Sequence, residues 1–413
     1  MSKVITDSSR LRSPKQDEKL IEEILNRSVA EVLPTRQELK DVLLSGKKLR
    51  IYIGADATGP QLHIGHATNF MILEKLRQLG HEVIVLFGDF TALIGDPTDK
   101  SAARVRLTKA QVEANIKSWK EQIAPILDFK DRKNPAKILR NSKWLAKLKF
   151  TNLIDIAANF TVQRMLERDM YEKRIEEGKP IHLHEFFYPL MQGYDSVAMD
   201  VDLEIGGTDQ TFNMLVGRTL QKNYNNREKF VLSTTLLVNP KTNKKLMSKS
   251  KGGFIALNDS SEQMFGKTMA LPDEVIIQVF TDCTYLPLDE IKQMEKDLQS
   301  WANPRDLKMK LAHELVKIYH GGKAAGEAQA NFVKVFSKKE TPEEVKSFKV
   351  KSNKLLEVLE ETGLVTSKSE ARRVVEQGGV KVDDNIVSDV NINLAAGEHL
   401  IQKGKRFFVR VII

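Results

Sequence analysis

The sequence predicts an α/β protein: a doubly wound parallel sheet, then a helical domain, then a small α+β module. Three observations predict it. A short β-run, Leu49 to Ile53, ends in the Gly- and Pro-punctuated turn Gly54 to Pro60, and a helical pattern follows from near His63 through Phe70, Leu73 and Leu76 to Leu79. Strand, glycine turn and helix form the opening unit of such a sheet, and the helix N-terminus is a ready anion site. Further apolar runs at Glu82 to Phe87, Leu203 to Ile205 and Val231 to Val238 suit buried strands. After Ile255 the pattern turns helical, and Lys354 to Ile413 reads as a compact unit of its own.

Size and charge narrow the function classes. The chain has 413 residues, enough for two or three domains, and a net charge of +9, which favours a polyanionic partner such as RNA. No run of eighteen apolar residues predicts a membrane span, and Met1 to Asp7 lacks the apolar core of a secretory signal. The one cysteine, Cys283, excludes an intramolecular disulfide and suits a reducing cytoplasm.

Taken in order, residues 1–16 are polar, and Leu20 to Leu33 has helical spacing, so residues 1–34 read as a helical extension. Thr35 and Glu38 read as a capping box whose helix Gly46 closes. Gly80 suits the C-cap of the helix that begins near His63. Gly88 to Lys100 holds two glycines, the carboxylate of Asp96 and the cation Lys100, with the cation Arg104 close behind; it reads as a substrate-lining loop or as an ordinary loop with solvated charges. Thr108 and Gln111 cap another helix, Lys137 to Arg140 reads as a strand leading to Asn141, and Leu145 to Glu176 is mostly helical.

Tyr188, Gln192 and Asp195 fall at i, i+4 and i+7, on one face of a helix within an apolar stretch. Polar groups buried there need hydrogen bonds, to one another or to a ligand. Gly206 to Gln210 is a second glycine turn at a strand end, where open sheets bind ligands; the acidic Asp209 there suits ribose hydroxyls. Ser260 to Phe332 reads as helices broken by Pro272, Pro287 and Pro304, and residues 340–353 as a linker. In the tail, Ser367 and Glu370 cap a helix that Gly378 and Gly379 end, with strands at Val380 to Val382 and Phe407 to Val411.

His63-Ile64-Gly65-His66 puts two imidazoles on one side of a first helical turn, with a glycine that lets phosphates and ribose approach the backbone. Two histidines are too few for a zinc site, and the lone cysteine is distant, so no metal site is expected. The lysine loop Leu246-Met-Ser-Lys-Ser250 follows in the second half. Together these resemble the HIGH and KMSKS signatures of class I aminoacyl-tRNA synthetases, and the finer pattern resembles bacterial tyrosyl-tRNA synthetases over nearly the whole chain. The tail, through Ser367-Lys-Ser-Glu-Ala-Arg-Arg373 and Gly378-Gly-Val-Lys-Val382, resembles the small RNA-binding module of that family.

The resemblance implies a Rossmann-type catalytic domain at 35–258 with an insert at about 105–185 that forms a homodimer interface. It implies a helical domain on the tRNA anticodon side at 259–345 and an RNA-binding module at 350–413. It implies a tyrosine–tRNA ligase using L-tyrosine, ATP and tRNA(Tyr), with Mg²⁺ carried on the ATP phosphates and no tightly held cofactor. Thr58, His63, His66, Lys100, Arg104 and Lys249 would serve the phosphates and adenosine in catalysis. Gly54, Asp56, Gly207, Asp209 and Met247, with His63, His66 and Lys249, would bind ATP. Tyr52 and Asp195 would flank the substrate phenol. Asp96, Tyr188 and Gln192 would receive its ammonium group, with Asn141 and Gln210 nearby. Lys368, Arg372, Arg373 and Lys381 would form the basic RNA face; the alternative is a structural cap with solvated charges.

Two positions depart from the family pattern. Leu246 stands where the loop's first lysine is usual, so either Lys245 or Lys244 substitutes or one phosphate contact is lost. Ala55 and Ala57 stand where Phe and Pro are common. Rival readings are a tryptophan-type synthetase, a catalytically silent synthetase-like RNA binder, and a small-molecule nucleotidyltransferase with an HxGH signature.

Overall fold

The strand that ends at Ala55 lies at the centre of a six-stranded sheet. In the computed structural model, which describes residues 14–95, 108–242, 244–247, 254–300, 303–337, 346–350, 352–383, 385–404 and 407–413, the chain divides into two units at Ala325/Gly326. The first unit holds β1 (Val29–Leu33), β2 (Arg50–Ala55), β3 (Glu82–Phe87), β4 (Lys137–Arg140), β5 (Leu203–Gly207) and β6 (Phe230–Thr234), in the order β1-β6-β5-β2-β3-β4. β2 to β6 are mutually parallel, and β1 runs antiparallel along β6. From β2 the chain moves outward to β3 and β4, then returns to the other side of β2 for β5 and β6. That reversal opens a crevice at the carboxyl ends of β2 and β5, the ligand position of such sheets.

The helices flanking the first half are α1 (Glu18–Asn26), α2 (Arg36–Leu44), α3 (Ile64–Leu79) and α4 (Lys109–Ile123). Thr35 caps α2 by accepting the Glu38 N–H, but Glu38 accepts from the Thr35 hydroxyl and not from its backbone. Thr108 and Gln111 form the full reciprocal box on α4. Gly80 ends α3 at φ 105°, a conformation that favours glycine.

The expected helix over Leu20 to Leu33 is corrected. α1 stops at Asn26, Ser28 takes φ 60°, and Val29–Leu33 becomes β1. Tertiary pairing decides this: Val, Ala, Glu, Val and Leu have no amphipathic partner as a continued helix, whereas β6 presents a row of unmet backbone groups. Val238 likewise leaves the expected Val231-to-Val238 strand. β6 stops at Thr234, and β7 (Val238–Asn239) pairs with β8 (Lys244–Lys245) in a separate ribbon.

Residues 142–176 form four short helices, α5 (Ser142–Leu145), α6 (Phe150–Ala157), α7 (Val162–Leu166) and α8 (Asp169–Glu176). α9 (Phe187–Met199) and α10 (Thr211–Asn225) then pack against each other. Gly193 permits the approach, since a Cβ there would lie 2.8 Å from Val216 Cγ1 and 3.0 Å from Leu220 Cδ1. α11 (Ser261–Met269), α12 (Ile276–Cys283) and α13 (Leu288–Gln299) follow, and the helical run α14 (Pro304–Ser337) breaks at Gly321. The Arg27 guanidinium donates to the carbonyls of Phe280, Thr281, Thr284 and Leu286, so it satisfies the orphan acceptors where α12 ends. No helix among the described residues is long and apolar enough to cross a membrane.

The second unit has a sheet in the order β11-β10-β12-β13-β9, formed by β9 (Lys346–Lys349), β10 (Val380–Val382), β11 (Asn385–Val387), β12 (Glu398–Lys403) and β13 (Phe407–Ile412). α15 (Leu355–Glu361) and α16 (Lys368–Glu376) supply Leu355, Val358, Leu359, Ala371 and Val375 to its core. The expected linker contains β9, which runs parallel to β13. Ser367 caps α16 as expected, but Glu370 accepts the Thr366 N–H, one residue earlier than a capping box requires.

Candidate active site

The turn after β2 is held by α4. Asn115 donates to Ala57 O at 2.8 Å, Trp119 to Gly59 O at 2.7 Å and Ser118 to Pro60 O at 3.0 Å. Gln122 donates to Pro60 O at 2.8 Å and accepts the Leu62 N–H at 2.8 Å. These bonds present Thr58 and deliver the chain to His63, the N-cap of α3. The His63 N–H donates to His66 Nδ1 at 3.1 Å, and the two rings stack with centroids 3.7 Å apart. Ile64 N–H donates to Ile255 O, so the segment after the lysine loop meets the start of α3.

At the other side of the crevice, Asp56 accepts from the Thr91 hydroxyl at 2.7 Å and from the Tyr188 hydroxyl at 2.9 Å. Thr91 accepts in turn from Asn141, whose Nδ2 also reaches Asp195 Oδ2 at 3.2 Å. Trp144 donates its indole N–H to Asp195 Oδ1 at 2.7 Å. Burial pushes the Asp195 carboxyl well above the usual carboxylate range, while Trp144 and Asn141 pull it back.

Tyr52 is fully buried, and its hydroxyl lies 2.9 Å from Ser196 Oγ. Burial, followed by the charges of Glu204 and Asp195, pushes the phenol well above its ordinary value. Tyr52, Trp144 and Tyr188 share one apolar cluster with Ile84, Leu86 and Met191. Gln192 donates to Glu204 Oε1 at 3.1 Å and accepts from Asn213 at 2.9 Å; Asn213 also bonds Gln210. At the second glycine turn, Asp209 is exposed and pairs with Lys245 at 2.9 Å. A Cβ on Gly207 would fall 2.9 Å from Asp209 Oδ1. Met247 is buried at φ 62°, and Gly54 is exposed at the end of β2.

The expected residues thus fall into two hydrogen-bond networks, Asn141, Tyr188 and Asp195 in one and Tyr52 and Gln192 in the other, and Gly54, Asp56, Thr58, His63 and His66 line the β2–α3 turn. Asp96, Lys100, Arg104 and Lys249 lie outside the described residues. In the second unit, Lys368, Arg372 and Arg373 are exposed on α16, Lys381 is half-buried on β10, and Lys368 pairs with Glu357 at 2.9 Å.

Sequence reasoning missed Thr91, Trp144, Ser196, Glu204 and Lys229. One signal was available: Glu204 stands inside an apolar strand, and a charge there must have a partner.

Comparison with known proteins shows the family. The family model for class I tRNA synthetases (W and Y) matches residues 44–337, and that for the S4 domain matches residues 354–400. The tyrosine–tRNA ligase of Carboxydothermus hydrogenoformans is 43% identical, across 94% of this chain and 97% of its own length. That of Thermotoga maritima is 42% identical, across 94% of this chain and 96% of its own length. Among solved structures, a C-terminally truncated Aspergillus nidulans mitochondrial tyrosyl-tRNA synthetase aligns with a TM-score of 0.64 at 25% identity, covering 77% of this chain and 94% of that one. The family model over residues 44–337 and these nearly full-length relatives show the family: the chain belongs to the tyrosine–tRNA ligases among the class I aminoacyl-tRNA synthetases.

Proposed function

We propose that this chain activates L-tyrosine with ATP and then transfers it to the 3′ end of tRNA(Tyr). A tyrosine carboxylate oxygen attacks the α-phosphorus, the bond to the bridging oxygen breaks, and pyrophosphate leaves with the electron pair. A hydroxyl of the terminal tRNA ribose then attacks the tyrosyl carbonyl carbon, the bond from that carbon to the phosphate oxygen breaks, and AMP leaves with the electron pair while the hydroxyl proton passes to its phosphate. No protein nucleophile is needed, so catalysis is positioning and charge stabilisation.

Thr58 and His63 serve the outer phosphates, and His66 the adenosine part. Gly54, Asp56 and Met247 line the nucleotide site, and Gly207 and Asp209 hold the ribose. Lys100, Arg104 and Lys249 close over the departing pyrophosphate, with Mg²⁺ arriving as part of the ATP substrate. Tyr52 and Asp195 bracket the phenol hydroxyl, and Asp96, Tyr188, Gln192, Asn141 and Gln210 serve the amino-acid end.

The observation that carries the reading is two buried polar ends: Tyr52, fully buried in the apolar cluster, and Asp195, buried and accepting from Trp144 of that same cluster. A pocket built to hydrogen-bond a hydroxyl rejects the analogue lacking it; tyrosyl-tRNA synthetases are themselves the established example of this discrimination, at about 10⁵-fold against phenylalanine. The helices of 259–345 bind tRNA on the anticodon side, and the module 350–413 binds RNA through Lys368, Arg372, Arg373 and Lys381. The enzyme works in the cytoplasm as a homodimer. Phe150, Ile154, Val162, Ile175 and Leu183 support this, because all five are exposed in the insert.

ATP–pyrophosphate exchange with tyrosine, phenylalanine and tryptophan tests the substrate. Exchange with tyrosine alone is expected; exchange with tryptophan instead overturns the Tyr52/Asp195 assignment, and none with any of them from folded protein overturns the activity.

A further inference from the structure

Beneath the crevice lies an ion pair that none of the roles above uses. Lys229, just before β6, and Glu204, on β5, are fully buried and salt-bridged to each other. Lys229 Nζ also donates to Ser196 Oγ at 2.9 Å and lies 6.0 Å from the Tyr52 ring centroid. Space for the ammonium comes from Gly217 on α10, where a Cβ would fall 2.5 Å from Nζ and 2.8 Å from Ser196 Oγ. Glu204 uses its other oxygen to accept from Gln192. The pair therefore has two arms, one through Ser196 to the Tyr52 hydroxyl and one to the Gln192 amide.

Buried ion pairs contribute little net stability against apolar replacements, so stability alone is a weak reason for this one. Its hydrogen-bond directions give a better reason. The ammonium only donates, so it occupies one lone pair of Ser196 and leaves that hydroxyl a single proton. That proton has two acceptors in reach, Tyr52 at 2.9 Å and Glu204 at 3.5 Å. With Asp195 accepting the substrate's phenolic proton, Tyr52 must donate to the substrate oxygen, and its own oxygen then accepts from Ser196. Lys229 makes that direction favourable by neutralising Glu204. Without the cation the carboxylate would draw the Ser196 proton to itself, and Tyr52 would donate to Ser196 and no longer to the substrate. In the other arm, Glu204 and Asn213 together fix the Gln192 amide, with its NH₂ turned to Glu204 and its oxygen retaining one lone pair for an ammonium group.

We propose that Lys229 and Glu204 are a positioning pair that, through Ser196, sets the proton direction of Tyr52 and, through Gln192, the amide orientation, and so sets the preference for a phenol-bearing amino acid over its deoxy analogue. This rests on the tyrosine-activating reading of the site. The test is pyrophosphate exchange by the full-length protein, comparing tyrosine with phenylalanine, for wild type, Ser196→Ala, Lys229→Met and the double variant Lys229→Met/Glu204→Gln. Ser196→Ala leaves the ion pair intact and is expected to lower the tyrosine-to-phenylalanine ratio of kcat/KM by about tenfold or more, with the KM for ATP changed less than about twofold. Lys229→Met should lower the ratio further, and adding Glu204→Gln should restore part of it, because the uncompensated charge is gone. A wild-type enzyme active with tyrosine, alongside folded Ser196→Ala that discriminates equally well, overturns the inference. Wild type inactive with tyrosine overturns the underlying reading instead. If Lys229→Met does not fold, the Ser196→Ala ratio decides.

Discussion

Trp144 and Asp195 are joined by an indole N–H donated to Oδ1 at 2.7 Å, with Asn141 donating to the other carboxylate oxygen at 3.2 Å. Burial favours the protonated acid, and these two donors favour the carboxylate. Trp144→Phe removes the shorter bond. A hydrogen bond to a charged group contributes about 1.5–3 kcal/mol, so the KM for tyrosine should rise about tenfold or more. The sign for pH follows: with one donor fewer the Asp195 pKa rises, so the acid limb of kcat/KM for tyrosine should move to higher pH. A pH profile of pyrophosphate exchange checks both.

Gly88 sits where a Cβ would fall 1.9 Å from Asp56 Oδ1 and 2.3 Å from Thr91 Oγ1. Gly88→Ala must therefore displace the Asp56 carboxylate from Thr91 and loosen its bond to Tyr188. The expected outcome is a loss of kcat/KM for ATP of about tenfold or more, equivalent to about 1.4 kcal/mol. Unchanged exchange kinetics in this variant would show that Asp56 has no part in the site.

Gln122 holds two backbone groups of the turn before His63. Gln122→Ala leaves the buried Leu62 N–H without its acceptor, at a cost of about 1–3 kcal/mol. The urea midpoint should fall, and kcat should fall with it, because the same bonds position Thr58 and His63. Urea titration and single-turnover adenylate formation measure the two effects.

His81 is fully buried, accepts the Leu49 N–H at 3.2 Å, and is held by burial down to about 4 from an ordinary 6.5. Its folded pKa is depressed, so the unfolded chain binds the proton first. The stability it contributes is present above pH 6.5 and is lost as the pH falls towards 4, to the extent of about 3 kcal/mol. Replacing it with asparagine, which keeps an acceptor but does not titrate, should flatten the dependence of the urea midpoint on pH within that window.

The sheet and its switch point were legible because β2, the glycine turn and α3 carry strong local signals: alternating apolar residues, Gly54 and Pro60, and a long helical period ending at Gly80. The helix face of Tyr188, Gln192 and Asp195 was legible from spacing alone. β1 was not, since its strand state comes from pairing with β6 and not from local propensity. β9 was hidden for the same reason, as four residues in a polar stretch that only β13 orders. Trp144 and Lys229 read as routine residues in sequence; their importance lies in what they touch across long separations, Asp195 for one and Glu204 with Ser196 for the other.

β1 has a further consequence for solubility. It takes up the row of backbone donors and acceptors that β6 would otherwise present as a template for foreign strands. The new margin is guarded: it is five residues long, irregular between Val29 and Glu31, charged at Glu31, and followed by Pro34. At the opposite margin β4 has only four residues, with Lys137 and Arg140 at its ends. Deleting the chain up to Pro34 would strip one guard and expose β6, and aggregation would follow before any loss of the residues that handle substrate.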